Sequence, residues 1–149
     1  MLFGKRKRIV KRILIVEDEP LTAFDNEMML GDAGYEVVAT LDTFDDAIAM
    51  LDKQQIDLVL SDVRLSGERT GMDLARAAKD RGVPVLFSTG LDLPADAATL
   101  ALGRLKKPYS ERQLRSALEA VERMLAGKEP KLPKGLEIYR SGKAEPEAS

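Results

Sequence analysis

Short apolar runs recur along the chain at residues 13–16, 36–40, 58–61 and 83–88, with a weaker one at 104–106. The stretches between them carry apolar residues at helical spacing. Such alternation is the pattern of βαβ units, in which crossover helices join parallel strands. It predicts an α/β fold with five strands and five helices.

The first helix should begin at Pro20, which suits the first helical position, with Glu19 before it near the positive end of the helix dipole. Leu21, Phe24, Met28 and Ala33 form its expected inward stripe, and Gly34 ends it. Residues 44–51 and 71–79 read as amphipathic helices, the second closed by Arg81-Gly82. In the last helix Ser110-x-x-Gln113 is a capping box, followed by Leu114, Ala117, Leu118, Val121 and Leu125 at helical spacing, with Gly127 as the stop. Between them, residues 92–102 carry Pro94 and many alanines. A short or mobile fourth helix is expected there.

This divides the chain into a basic arm (1–11), one domain (12–127) and a flexible tail (128–149). The tail is rich in Lys, Glu and Pro, although Leu132, Leu136, Ile138 and Tyr139 could dock on the domain or a partner. At 149 residues there is room for one domain with a real core. No apolar run is long enough for a membrane span, and the basic start lacks the apolar segment of a signal peptide, so a cytoplasmic protein is expected. Lys5, Arg6, Lys7, Arg8, Lys11 and Arg12 crowd the amino end of a chain whose net charge is −2. A solvated terminus is the expectation, against contact with nucleic acid or anionic lipid.

Composition narrows the chemistry. The chain has no cysteine and no histidine, which excludes thiolate nucleophiles, Ser-His-Asp triads, His-ligated zinc and phosphohistidine carriers. Reactive groups must be carboxylates, hydroxyls or amines. Four of the five apolar strands end in such a group: Glu17-Asp18 after the first, Asp62 after the third, Thr89 after the fourth and Lys107 after the fifth. The carboxyl ends of parallel strands are where open α/β sheets place their ligands. Three carboxylates gathered there would repel one another unless a hard divalent cation such as Mg²⁺ joined them. Lys107 and the Thr89 hydroxyl would then suit a phosphoryl group, and Asp62, centrally placed, is the candidate nucleophile.

The motifs 13-ILIVEDEP-20, 58-LVLSD-62, Thr89-Gly90 and Lys107-Pro108 together resemble the receiver domain of bacterial two-component response regulators, over about residues 12–127. That resemblance implies a doubly wound, flavodoxin-like parallel sheet of strand order 2-1-3-4-5. It implies that Asp62 accepts a phosphoryl group from a phosphohistidine of a sensor histidine kinase or histidine phosphotransfer protein. Glu17, Asp18, Asp62 and the backbone carbonyl of Arg64 would ligate Mg²⁺, Thr89 would move to bond the phosphoryl group, and Lys107 would pair with it. The Lys107-Pro108 peptide would be cis, and Gly90 would leave room for the donor. The Gly after Thr89 favours Thr89 over Ser88 for the hydroxyl role.

Arg104 stands where receivers usually carry an aromatic switch residue, and the segment from Thr89 to Lys107 is shorter than usual. Phe87-Ser88-Thr89-Gly90 with Lys107-Pro108-Tyr109 partly resembles the FAT GUY receivers, which lack that aromatic and are linked with alphaproteobacterial stress signalling. Implied is a single-domain regulator without a DNA-binding domain, a phosphoacceptor and not a turnover enzyme. It would act by docking a downstream protein or as a phosphate sink in a phosphorelay, its oligomeric state open with a monomer favoured. The rivals are a pseudo-receiver that binds without phosphorylation and an aspartate-nucleophile phosphatase, whose Asp-x-Asp motif would need an acid where Arg64 stands. A nucleotide-binding domain lacks its Gly-rich loop here.

Overall fold

The computed structural model describes residues 9–139. Lys5, Arg6, Lys7 and Arg8 of the basic arm, and residues 140–149 of the expected tail, lie outside the described residues. Strands β1 (Arg12–Val16), β2 (Glu36–Leu41), β3 (Leu58–Ser61), β4 (Val85–Thr89) and β5 (Gly103–Lys106) alternate with helices α1 (Pro20–Asp32), α2 (Phe44–Lys53), α3 (Gly71–Asp80), α4 (Ala97–Leu100) and α5 (Glu111–Leu125). The parallel strands lie in the order β2-β1-β3-β4-β5, and a short antiparallel strand, β6 (Leu136–Ile138), extends the sheet beyond β5.

Alternation along the strands splits the core into two layers. Ile13, Ile15, Leu58, Leu60, Leu86 and Leu105 pack with Leu30 of α1 and Leu114, Leu118 and Val121 of α5. Leu14, Val16, Val59, Val85 and Phe87 pack with Ala47, Leu74, Ala75 and Ala78 of α2 and α3. Helices on both faces explain why the strands read as unbroken apolar runs. Capping boxes at Thr70–Asp73 and Ser110–Gln113 start α3 and α5, and the Thr43 side chain caps α2. Pro84, which has no N–H to give a ladder, delays the start of β4 to Val85.

Helix α1 is phased differently from its expected stripe. Leu21, Phe24 and Met28 are 74, 58 and 50% exposed, whereas Ala23, Asn26 and Leu30 are buried. Both sets have the same spacing, offset by two residues, or about 200° around the helix. Ala33, the last residue of the expected stripe, does pack against the core, but a small alanine and a polar asparagine beside Leu30 left the inward face of the helix with a weak hydrophobic signal.

The expected tail is partly built into the domain. Leu136 is buried and pairs with Leu105, and Ile138 and Tyr139 pack beside the core. Three residues are too few to show strand alternation, so the sequence pattern missed β6. The described end of the basic arm is also tied down: Ile9 and Val10 N–H groups donate to Glu122 Oε2, both at 3.0 Å, and Val10 is fully buried. Among the described residues no helix is long and apolar enough to cross a membrane.

The phase of α1 makes a direct prediction. Phe24→Ala should leave stability to urea within about 0.5 kcal/mol of the parent. Leu30→Ala should cost about 2–5 kcal/mol; the reverse ranking would restore the stripe read from the sequence.

Candidate functional site

Register brings the strand ends level. Val16 pairs with Ser61, Ser61 with Phe87 and Thr89 with Lys106, so the residues just beyond them share one edge of the sheet. The ladder continues one step further, with Asp62 N–H donating to the Val16 carbonyl (2.9 Å) and Lys107 N–H to that of Thr89 (3.0 Å). Glu17, Asp18 and Asp62 each direct a carboxylate oxygen into a cluster in which these atoms lie within 4.8 Å of one another.

Lys107 reaches into this cluster. Its Nζ donates to Glu17 Oε1 at 2.7 Å and to Asp62 Oδ2 at 3.0 Å. The other oxygen of Asp62 accepts the Val63 N–H at 2.6 Å and the Arg64 N–H at 3.4 Å. Asp62 is thus oriented from both sides, yet its side chain keeps 13% of its surface open, against 1% for Glu17. Burial pushes the Glu17 carboxyl up, an effect that Lys107 opposes and the Asp62 charge reinforces. Burial works against the Lys107 ammonium too, but its bonds to Glu17 and Asp62 outweigh it, so its pKa is raised and it stays charged. One ammonium among three carboxylates leaves the pocket anionic.

Thr89 stands at the end of β4, 1% exposed, with its hydroxyl accepting the Leu91 N–H at 3.1 Å. Arg64 lies exposed beyond Asp62. The Lys107-Pro108 peptide is cis. A Cβ on Gly90 would meet nothing nearer than 3.7 Å, so the fold itself tolerates a side chain there.

Ser88, set aside above in favour of Thr89, and Tyr109 support this set through a partner, Asn26, that no motif marked. Ser88 Oγ and Tyr109 Oη lie 2.6 Å apart, and Tyr109 donates to Asn26 Oδ1 at 2.9 Å. The single Tyr109 proton therefore goes to Asn26, leaving Ser88 as donor to the phenol oxygen. This chain fastens α1, β4 and the turn after Lys107 together. Ser88 and Tyr109 stood in the quoted motifs, but their partner left only one trace, a polar residue, Asn26, inside the helical pattern. Gly71 matters through what it lacks: a Cβ there would collide with the Asp62 carbonyl oxygen and come 2.8 Å from Val63 Cα. The first residue of α3 is thereby pressed onto the backbone that carries Asp62.

Fold and pocket together define a flavodoxin-like α/β domain with an anionic, carboxylate-lined site at its strand ends. More particularly, the chain belongs to the response regulator receiver domain family, whose model matches residues 13–119. The transcriptional regulatory protein PdtaR of Mycobacterium tuberculosis is 32% identical over 118 residues, or 74% of this chain; the chain spans only 56% of that protein. The receiver domain of sensor histidine kinase PA1611 from Pseudomonas aeruginosa, solved with a magnesium ion coordinated in its active-site cleft, is 27% identical with a TM-score of 0.65. The match covers 74% of this chain and 95% of that one. The response regulator PhyR from Brucella abortus is 28% identical with a TM-score of 0.66, over 81% of this chain and 51% of PhyR.

Two substitutions test this geometry. Gly71→Ala should destabilise the fold by about 1–3 kcal/mol, as overpacking does, and shift the amide resonances of Asp62 and Val63. Burial also raises the Tyr109 phenol, with its bonds to Ser88 and Asn26 partly opposing. A group whose folded pKa is raised stabilises the fold below its unfolded pKa, about 10 for tyrosine, and loses that contribution as pH rises through the folded value. The stability gap between the parent and Tyr109→Phe, read from thermal melts, should therefore narrow above about pH 10; a constant gap would contradict the assignment.

Proposed function

We propose that this receiver accepts a phosphoryl group on Asp62 from the phosphohistidine of a sensor kinase or histidine phosphotransfer protein, in the cytoplasm, and passes the signal by docking a protein partner or acts as a phosphate sink. The observation that carries this reading is the Asp62 carboxylate itself. It is held by Val63 N–H on one oxygen and Lys107 on the other, partly open to solvent, inside an anionic pocket.

The chemistry follows from those groups. A carboxylate oxygen of Asp62 bonds to phosphorus as the P–N bond of the donor breaks, and the leaving imidazole retains a proton. Lys107 neutralises charge on the transferring group, and the Thr89 hydroxyl turns from Leu91 to donate to a phosphoryl oxygen. The uncompensated charge and hard oxygen donors of Glu17, Asp18 and Asp62 fit Mg²⁺, with the Arg64 carbonyl as a further ligand in this reading. When bound, the ion would neutralise the pocket so that an anionic donor can enter.

The exposed stripe Leu21, Phe24 and Met28 starts three residues after Asp18 and supports this reading from outside the pocket. An exposed apolar stripe on the helix that follows a reactive site suits a docking protein. The donor protein is the occupant this placement favours.

Phosphoramidate with Mg²⁺ should add one phosphoryl mass to the intact protein, and EDTA or Asp62→Asn should abolish the gain. Lys107→Gln should slow labelling roughly hundredfold while Mg²⁺ binds no more weakly, because the competing ammonium is gone. Labelling that survives in Asp62→Asn would overturn the proposal; no labelling of the parent would make the domain a pseudo-receiver.

A further inference from the structure

The β5 edge carries a seat fitted to β6. Gly103 lies against the β6 backbone so closely that a Cβ there would collide with the Glu137 carbonyl oxygen and stand 3.0 Å from Ile138 Cα. Its φ is not positive, so close approach, and not backbone conformation, is what this glycine provides. Lys106 N–H donates to the Gly135 carbonyl at 2.9 Å, and Tyr139 N–H to that of Leu102 at 2.8 Å. Between these bonds Leu105 pairs with Leu136 and Arg104 with Glu137.

Arg104 also faces the other way. Its Nε donates to Glu137 Oε1 at 3.1 Å, while its Nη1 donates to the Leu91 carbonyl at 2.8 Å. The N–H of that same Leu91 is held by the Thr89 hydroxyl. A cleft of about 330 Å³, lined by Asp92, Pro94, Ala98, Arg104, Glu137 and Tyr139, lies between the segment after Leu91 and β6. Where packing leaves this opening, the guanidinium makes the connection.

We propose that β6 is a latch on the β5 edge that phosphorylation of Asp62 releases, through the contacts Thr89–Leu91–Arg104–Glu137. The inference rests on the phosphoacceptor reading above. When the Thr89 hydroxyl turns to a phosphoryl oxygen, the Leu91 peptide loses its anchor and its carbonyl no longer fixes Arg104. The Arg104–Glu137 pair, left with Asp92 Oδ1 at 3.9 Å on the loop side, is then a weak surface ion pair, and β6 loses that brace while its ladder bonds and the Leu136 contact remain to be opened. Release uncovers the β5 edge, whose free N–H and C=O groups suit an extended segment of a partner. Linkage requires the converse: unseating β6 must favour the phosphorylated form by the same factor.

The test is hydrogen exchange on the full chain with beryllofluoride and Mg²⁺ as the acyl-phosphate mimic, with ¹⁹F NMR to read its binding. The Tyr139 amide should exchange at least about tenfold faster with the mimic bound, while β1 and β3 amides stay protected. Gly103→Ala should speed Tyr139 exchange without the mimic and tighten mimic binding by a similar factor. Glu137→Ala should do both to a smaller degree, and carries the test if Gly103→Ala does not fold. Bound mimic with unchanged Tyr139 exchange would overturn the latch and leave the phosphoacceptor reading intact. Absence of a bound ¹⁹F resonance would remove both.

Discussion

The ammonium of Lys107 between Glu17 and Asp62 is the interaction on which the rest of the site depends. Three carboxylates brought within a few ångströms at the ends of β1 and β3 repel one another. A half-buried cation reaching across from the end of β5 offsets part of that repulsion and leaves the remainder as an attraction for further positive charge. The register of four parallel strands sets the spacing, and both faces of the sheet are packed to hold that register. The fold stabilises an arrangement of charges that no isolated segment would hold.

Around this centre the domain is braced unevenly. The Asn26–Tyr109–Ser88 chain and the Gly71 contact fix the side of the pocket that faces α1, α3 and the turn after β5. The side beyond Thr89 is lighter: a four-residue α4, an open cleft and a single arginine joining the loop to β6. Firm bracing keeps Asp62 and Lys107 oriented, and light bracing on the Thr89 side is what the proposed latch requires. Arg104 bonds to both sides of this opening, to the Leu91 carbonyl and to Glu137, and is the link on which the proposed latch turns.

The parallel strands and the order of the pocket residues were legible because burial on both faces and polar strand ends leave strong, local marks. Pro20, Gly34 and the capping box at Ser110 marked helix limits for the same reason. The inward face of α1 was not legible, since Ala23 and Asn26 carry little hydrophobic weight while the exposed Leu21, Phe24 and Met28 carry much. β6 escaped because its support comes from a distant glycine and a distant arginine, not from its own periodicity. Tyr109 and Ser88 stood in recognisable motifs, but that they bond each other, with Asn26 of α1 as third member, left no mark in the sequence. Pairwise hydrogen bonds between elements have no sequence period, and these are where the reading ran out.

The central claim, that the geometry makes Asp62 the reactive carboxylate, is tested most directly by locating the acyl phosphate. Protein treated with acetyl phosphate and Mg²⁺ would be reduced with borohydride, which converts an aspartyl phosphate to homoserine, and mapped by peptide mass spectrometry. The structure predicts the change at Asp62, with Glu17 and Asp18 unmodified. Homoserine derived from Asp18, or no reduced residue at all, would contradict it.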